Sequence, residues 1–274
     1  MTRNLGLIFS EIPTGKPEPG KHLKVEDRPF NLENSSPPED GLIIRTHYAS
    51  FDPYQRGRMR DASIKSYAPP FPLNQPIVNS TIATVLKSSN SSFKDGDVVL
   101  VPMMGQTEEY SILQGEFVNK TVKKIDNPLD LDIKLFLGAL GMPGLTAYSS
   151  FYEIGQPKKG ETIFISAASG AVGALVAQLA KREGLKVIGS VGSDEKLKYI
   201  KDELDVDGGF NYKNEAPADA LARLAPNGIG KCNAYAYHTH FRSLTYNSKT
   251  STSRTSVALI SRPLSKRSTC VAVS

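Results

Sequence analysis

Apolar positions in the first hundred residues come in short runs bounded by turn residues. "GLIIRTHYASF" (41–51), "QPIVNSTIATVLKSS" (75–89) and "GDVVLVPM" (96–103) alternate or run β-branched, which predicts strands. "KDGD" (94–97), between the last two, predicts a turn. Twelve of the 18 prolines precede Met103, which argues against long helices there. Residues 1–125 therefore read as a β-rich domain.

The pattern changes after "VKKIDNPLDL". "IKLFLGALGMPGLTAYSSFYEI" (133–154) has helical spacing interrupted at Met142-Pro143-Gly144, so a new helix is expected to start near Pro143. "ETIFIS" (161–166) predicts a buried parallel strand. Val172, Leu175, Val176, Leu179 and Ala180 then form one helical stripe for a sheet to cover. "KVIGSV" (186–191) predicts the next parallel strand. Between strand and helix lies "AASGAVG" (167–173), in which Ala167, Gly170 and Gly173 give A-x-x-G-x-x-G. Small residues there let backbone approach a pyrophosphate, and the helix N-terminus offers free N–H groups to it. Ala167, Ser169, Gly170, Ala171, Val172 and Gly173 are thus candidate dinucleotide-binding residues. A mononucleotide site or a purely structural β-α-β unit has the same order of elements.

An NAD site places a carboxylate on the ribose 2′-OH about 20 residues past the glycines. Here the second strand ends in Gly192-Ser193, with Asp194, Glu195 and Lys196 following. A small residue at Ser193 leaves room for a 2′-phosphate, and a cation at Lys196 would complement it. This favours NADPH over NADH. The plainer reading, Asp194 capping the next helix and Lys196 solvated, is compatible with that choice.

Composition narrows the function classes. Hydrophobic residues make up 39% and charged residues 22% of 274, as in an ordinary globular protein, and no apolar run is long enough to span a bilayer. No signal-peptide pattern opens the chain, so a cytoplasmic location is expected. The net charge of +5 is unevenly spread: residues 1–219 carry 25 Lys/Arg against 28 acids, whereas residues 220–274 carry 8 Lys/Arg and no acid. The basic residues of that tail are scattered among Ser and Thr, without the folded basic face of a nucleic-acid-binding module.

Several stretches carry a family likeness: "SFDPYQRGRMRD" (50–61), "LGMPGLTAYSSFYEIG" (140–155), "ISAASGAVGALVAQLAK" (165–181), "VGSDEK" (191–196) and "FNYKNE" (210–215). Together they resemble the zinc-independent medium-chain dehydrogenase/reductases, in the alkenal/one or prostaglandin reductase branch. The resemblance implies an α/β protein with an N-terminal GroES-like β domain (1–125) and a truncated Rossmann domain, a doubly wound parallel sheet (126–230). It implies NADP as cofactor, a homodimer, and reduction of the C=C bond of small-molecule enals and enones. By that likeness Lys196 and Tyr212 would hold the 2′-phosphate, Ala167 to Gly173 would cradle the pyrophosphate, and Tyr54 would face the substrate as the catalytic candidate. The alternative for Tyr54 and Arg56 is a packed strand-end turn with an ion pair. No metal site is expected, since residues 1–229 hold no cysteine, only His22 and His47, and no Gly-His-Glu. A quinone or secondary-alcohol oxidoreductase and a non-catalytic NADPH-binding protein are the competing readings.

The likeness stops near Ile229, where the family continues with a strand and a Val-Gly-Gly motif. Residues 232–274 instead contain 15 Ser/Thr among 43 and no acid, so 231–274 is expected to be an aberrant tail without a core. Cys232, His238 and His240 within it fit chance better than metal ligation. Gly230-Lys231-Cys232 can be encoded with GTAAGT, a splice-donor sequence, and Lys249 as AAG offers an acceptor. Joining across them shifts the frame and permits the Val-Gly-Gly strand. The tail is therefore expected to be a retained intron. As given, the chain would leave a sheet edge bare, be marginally stable, bind NADPH poorly and lack activity.

Overall fold

The computed structural model describes residues 1–229, 256–261 and 270–273. The chain divides into two units, Met1–Leu137 and Gly138–Ser274.

The first unit pairs its strands antiparallel, with one isolated parallel bridge between Pro19 and Leu23. It runs β1 (Leu5–Phe9), β2 (Leu23–Asp27), β3 (Leu42–Ala49), a one-turn α1 (Tyr54–Arg58), β4 (Gln75–Pro76), β5 (Val78–Ser88), β6 (Val98–Gln106), β7 (Tyr110–Leu113), α2 (Gly115–Thr121) and β8 (Lys123–Lys124). Three strands form a sheet in the order β2-β1-β4 and five another in the order β7-β3-β5-β6-β8. The period-two pattern of the sequence is what buries one face of the larger sheet. Leu42, Ile44, Ala83, Val85, Val99 and Val101 form its core, with Ile44 opposite Val85 and Ala83 opposite Val99. Two register shifts in β3, at Ile43/Ile44 and Thr46/Tyr48, bend the strand. A smaller cluster of Phe9, Met59, Phe71 and Ile77 anchors the loop that follows α1.

Residues 126–137, placed with the second domain on sequence pattern, pack with the first unit. Ile133–Leu137 is a short 3₁₀ turn against β5 rather than the start of an α-helix. Gly138 and Gly141 interrupt the helical spacing there, and glycine disfavours helix interiors by about 1 kcal/mol.

The second unit opens with α3 (Met142–Ser149), whose first turn holds Pro143, and continues as a π-helical turn over Ser150–Gly155. Then follow β9 (Thr162–Ile165), α4 (Ala171–Arg182), β10 (Lys186–Val191), α5 (Asp194–Asp202), β11 (Gly208–Asn211) and α6 (Pro217–Leu224). β9, β10 and β11 are parallel neighbours. Alternate strand residues go to opposite faces: Ile163, Ile165, Val187 and Val191 pack with Val176, Ala177, Ala180 and Ile200. Phe164, Ile188 and Phe210 pack with Ala220 on the other face. Helices thus cover both faces, as a doubly wound parallel sheet requires. At the far end of α4, Lys181 donates to Asp207 at 2.9 Å while the other Asp207 oxygen accepts from the Val187 amide at 2.7 Å.

Two stretches of the tail depart from the expected absence of structure. β12 (Ser256–Ser261) pairs antiparallel with β9, and β13 (Cys270–Val273) pairs antiparallel with β12, so the sheet order is β11-β10-β9-β12-β13. The edge of β9 is therefore not bare. An open strand edge presents unpaired N–H and C=O groups, and "SVALIS" is an apolar run suited to pair with them. Cys232, His238 and His240 lie outside the described residues.

Ile163 is fully buried at the centre of β9. Ile163→Ala should destabilise the second unit by about 3 kcal/mol through lost burial and a residual cavity, read as a shift of its urea midpoint. A shift near zero would show that β9 is not packed as described.

Candidate functional site

The second unit gathers its candidate residues at the carboxyl ends of β9, β10 and β11. After β9 the backbone turns through Ala167, which sits at φ +48°. The Gly170 amide donates to the Ala167 carbonyl at 2.8 Å, and the Ala168 amide donates to the Ser190 carbonyl at 3.0 Å, so the turn is tied to β10. A Cβ on Gly173 would lie 2.5 Å from the Ala167 oxygen and 3.0 Å from the Ala168 Cα. No other residue fits there without moving the turn. Gly170 is the N-cap of α4 and contributes no side-chain cap. The first amides of the helix, Ala171, Val172 and Gly173, thereby have no side-chain cap to accept from them and carry the positive end of the helix dipole. Ser169 lies in the same turn, half-buried.

A second corner forms at the ends of β10 and β11. Ser193 is extended at φ −156° and caps α5, its Oγ accepting from the Lys196 amide at 3.3 Å. Sequence reasoning gave that cap to Asp194; instead Asp194 occupies the first helical turn, where its charge suits the dipole. Tyr212 follows β11 directly, its amide donating to the Val191 carbonyl at 3.1 Å. Its hydroxyl lies over Gly192, 2.5 Å from where a Cβ would stand. Tyr212 thus covers Gly192, and the adjoining Ser193 is tied to the Lys196 amide. Lys196 is exposed and makes no ion pair among the described residues. Asp194 has its carboxylate engaged: Oδ1 accepts from Asn211 Nδ2 at 2.8 Å and from Asn214 Nδ2 at 3.2 Å.

These residues suit NADP. The glycine turn leaves the space that a Cβ would fill, and the α4 terminus has no side-chain cap.

Tyr54 belongs to the first unit, in α1. Its hydroxyl is buried with no hydrogen-bond partner among the described residues. Burial, then the negative charge of Asp52, which also draws weakly on the phenol proton without a well-aligned hydrogen bond, pushes its pKa up to about 12, so the phenol stays protonated at neutral pH. The ion pair considered for Arg56 is absent among the described residues: its guanidinium donates to the carbonyls of Pro13 at 3.3 Å and Gly15 at 2.7 Å. Both carbonyls lie 41–43 positions away in the loop before β2, and no carboxylate pairs with Arg56 among the described residues. Arg58 stacks 4.3 Å over the Phe71 ring and donates to the Pro69 carbonyl at 3.0 Å, and burial lowers its pKa. Each histidine among the described residues has a protein partner: His22 Nδ1 accepts from the Glu18 amide at 2.9 Å, and His47 Nε2 lies 2.8 Å from Thr84 Oγ1.

Sequence reasoning did not single out Gly192, Asn211 or Asn214. The glycine stood in the quoted strand end and the asparagines in "FNYKNE", but only the folded register of β10 beside β11 brings them together.

Residues 7–121 match the family described as the N-terminal domain of oxidoreductase. The NADP-dependent oxidoreductase RED1 of Cochliobolus heterostrophus is 52% identical over 84% of the chain. The 2-alkenal reductase (NADP(+)-dependent) of Nicotiana tabacum is 40% identical over 82%. The chain spans 64% of the length of each of these two relatives. The crystal structure of CurA in complex with NADPH from Vibrio vulnificus superposes with a TM-score of 0.71 at 33% identity, covering 82% of this chain and 63% of that one.

Gly173→Ala should cost about 1–3 kcal/mol by overpacking the turn and weaken binding of 2′,5′-ADP at least tenfold, measured by urea titration and calorimetry. An unchanged affinity would remove the turn from the site. Because the folded pKa of Tyr54 lies above a phenol's ordinary value of 10.0, its contribution to stability is full below pH 10. That contribution is lost as pH rises through about 12. Tyr54→Phe should flatten that loss and change stability at pH 7 by less than about 1 kcal/mol, since the nearby Asp52 carboxylate makes no well-aligned hydrogen bond with the hydroxyl. A drop above about 1 kcal/mol at pH 7 would reveal a hydrogen bond worth that much.

Proposed function

The chain belongs to the zinc-independent medium-chain dehydrogenase/reductase family, and from that premise we propose that it reduces the C=C bond of α,β-unsaturated aldehydes and ketones with NADPH. The observation that carries the cofactor half is the corner of Ser193, Lys196 and Tyr212 around Gly192, with the nearby carboxylate of Asp194 bonded to two amides. The substrate half rests on the motif likeness to enone reductases and on the activity named for the tobacco relative. The donor chemistry agrees. Residues 1–229 offer no cysteine thiolate, and the imidazoles of His22 and His47 have protein partners.

When bound, NADPH supplies the hydride that reaches the β-carbon. The chain's own part is to bind, orient and donate. The Ala167–Gly173 turn and the α4 N-terminus hold the pyrophosphate; Lys196, Ser193 and Tyr212 hold the 2′-phosphate. Tyr54, kept protonated, is the hydrogen-bond donor proposed for the carbonyl oxygen, where negative charge develops as the β-carbon is reduced, and the enolate so formed takes a proton from water at its α-carbon. A buried hydroxyl with no partner is the kind of group a ligand satisfies. The physiological assembly is proposed to be a homodimer in the cytoplasm.

The retained-intron reading belongs to the same proposal. The product joined across codons 230–249 should oxidise NADPH with enones and enals, and the 274-residue chain should be much slower. Absorbance at the nicotinamide band, with quinones and secondary alcohols as competing substrates, reads the outcome. Turnover of quinones without enones would reject the substrate class. A gene lacking GTAAGT at codons 230–232, or transcripts that all read straight through to an active short protein, would reject the intron.

Lys196→Glu should weaken NADPH at least tenfold more than NADH, or about 1.4 kcal/mol of selectivity. Equal losses for the two cofactors would remove Lys196 from the 2′-phosphate.

A further inference from the structure

The first carboxylate after β10 is held by two side-chain amides whose orientation is itself fixed. Asn211 ends β11 opposite Val191 and is buried, 7% exposed. Its Oδ1 accepts from the Lys213 amide at 3.1 Å. That bond decides which way the amide faces: flipping it would set NH₂ against N–H and C=O against carboxylate. Nδ2 must therefore point at Asp194, and it does, at 2.8 Å. The Asn211 main-chain carbonyl in turn accepts from the Asn214 amide at 2.9 Å and the Glu215 amide at 3.1 Å. This turn delivers the Asn214 side chain to the same Asp194 oxygen at 3.2 Å. One oxygen thus takes both amides, on the β11 side of the helix.

We propose that Asn211 and Asn214 are specificity-determining positioning residues, which hold the Asp194 carboxylate toward β11 and out of the corner formed by Ser193, Lys196 and Tyr212. The inference rests on the NADP reading of that corner. The physical need is plain. A carboxylate at the end of the second strand is what an NAD site uses to grip the ribose 2′-OH, and the same charge repels a 2′-phosphate. Asp194 stands only two residues beyond Gly192 and one beyond the capping serine. Without the two amides, its rotamers include ones that turn the carboxylate toward the phosphate corner. Asp194 still serves the fold, since a negative charge in the first turn suits the α5 dipole. Retaining the acid while confining its direction reconciles helix stability with an anionic ligand. The same bonds tie the first turn of α5 to the turn that carries Tyr212.

The test uses 2′,5′-ADP and 5′-AMP as probes, titrated by calorimetry into the full chain. The unaltered chain should prefer 2′,5′-ADP at least tenfold. Asn211→Ala/Asn214→Ala should lose about tenfold for 2′,5′-ADP, which is about 1.4 kcal/mol, with 5′-AMP unchanged. Adding Asp194→Asn to that pair should restore 2′,5′-ADP, because the freed carboxylate is then neutral. Asn214→Ala alone, at an exposed side chain, should give a smaller loss in the same direction and keeps the test open should the double variant unfold. Equal losses for both probes, or no recovery with Asp194→Asn, would overturn the positioning role and leave the NADP reading standing. If the unaltered chain binds 5′-AMP as well as 2′,5′-ADP, the NADP reading itself is wrong and the inference falls with it.

Discussion

Close approach of backbone to backbone at a few glycines is the constraint on which the second unit depends. Gly173 brings α4 down until its Cα faces the Ala167 carbonyl, with 2.5 Å available where a Cβ would stand. Gly189 in β10 leaves 2.8 Å to the Ala168 Cβ and 2.9 Å to the Ile200 side chain. Gly209 in β11 similarly admits Leu197 at 2.9 Å. Removing side chains from these positions lets α4 and α5 lie close on the sheet. Only then do the uncapped amides of α4 and the capped end of α5 reach the same end of the strands.

That packing explains why the site is built from loops yet is well determined. Ala167 holds a positive φ because the Gly170 amide and the Ser190 carbonyl fix the turn from both sides. Beyond β10, Ser193 caps α5 while Tyr212 covers Gly192, and the Asp194–Asn211–Asn214 group joins the two turns. Charge is arranged with the same economy. Lys196 has no ion-pair partner among the described residues, whereas one carboxylate oxygen of Asp194 accepts from two side-chain amides.

The first unit solves a different problem. Its sheets bury alternating faces, and the loop after α1 is held by arginines rather than by apolar packing alone. Arg58 lies over Phe71 and bonds Pro69; Arg60 donates to the carbonyls of Gly57 and Ile64, both at 2.8 Å, and to Ala68. Guanidinium forks suit this task because each satisfies several carbonyls that a loop leaves without strand partners. The result is a structured loop around Tyr54, whose hydroxyl remains buried and unpartnered among the described residues.

Sequence by itself determined the elements whose periodicity is local. The β-branched runs became β3, β5 and β6, the apolar stripe from Val172 became α4, and Pro143 falls in the first turn of α3. The glycine turn was equally legible, since its spacing and its flanking strand and helix are contiguous in the chain. The absence of a carboxylate at the tip of β10 could likewise be read directly, because a missing residue type needs no partner to be recognised. Tertiary structure decided what depends on residues distant in sequence. It gave the α5 cap to Ser193, turned Arg56 to loop carbonyls instead of an acid, and set residues 126–137 with the first unit. It also brought Asn211 and Asn214 to Asp194, 17 and 20 residues away, and laid β12 along β9. Periodicity reports which face of an element is buried, but a hydrogen-bond partner is chosen by strand register and helix approach, and those exist only once the core has closed.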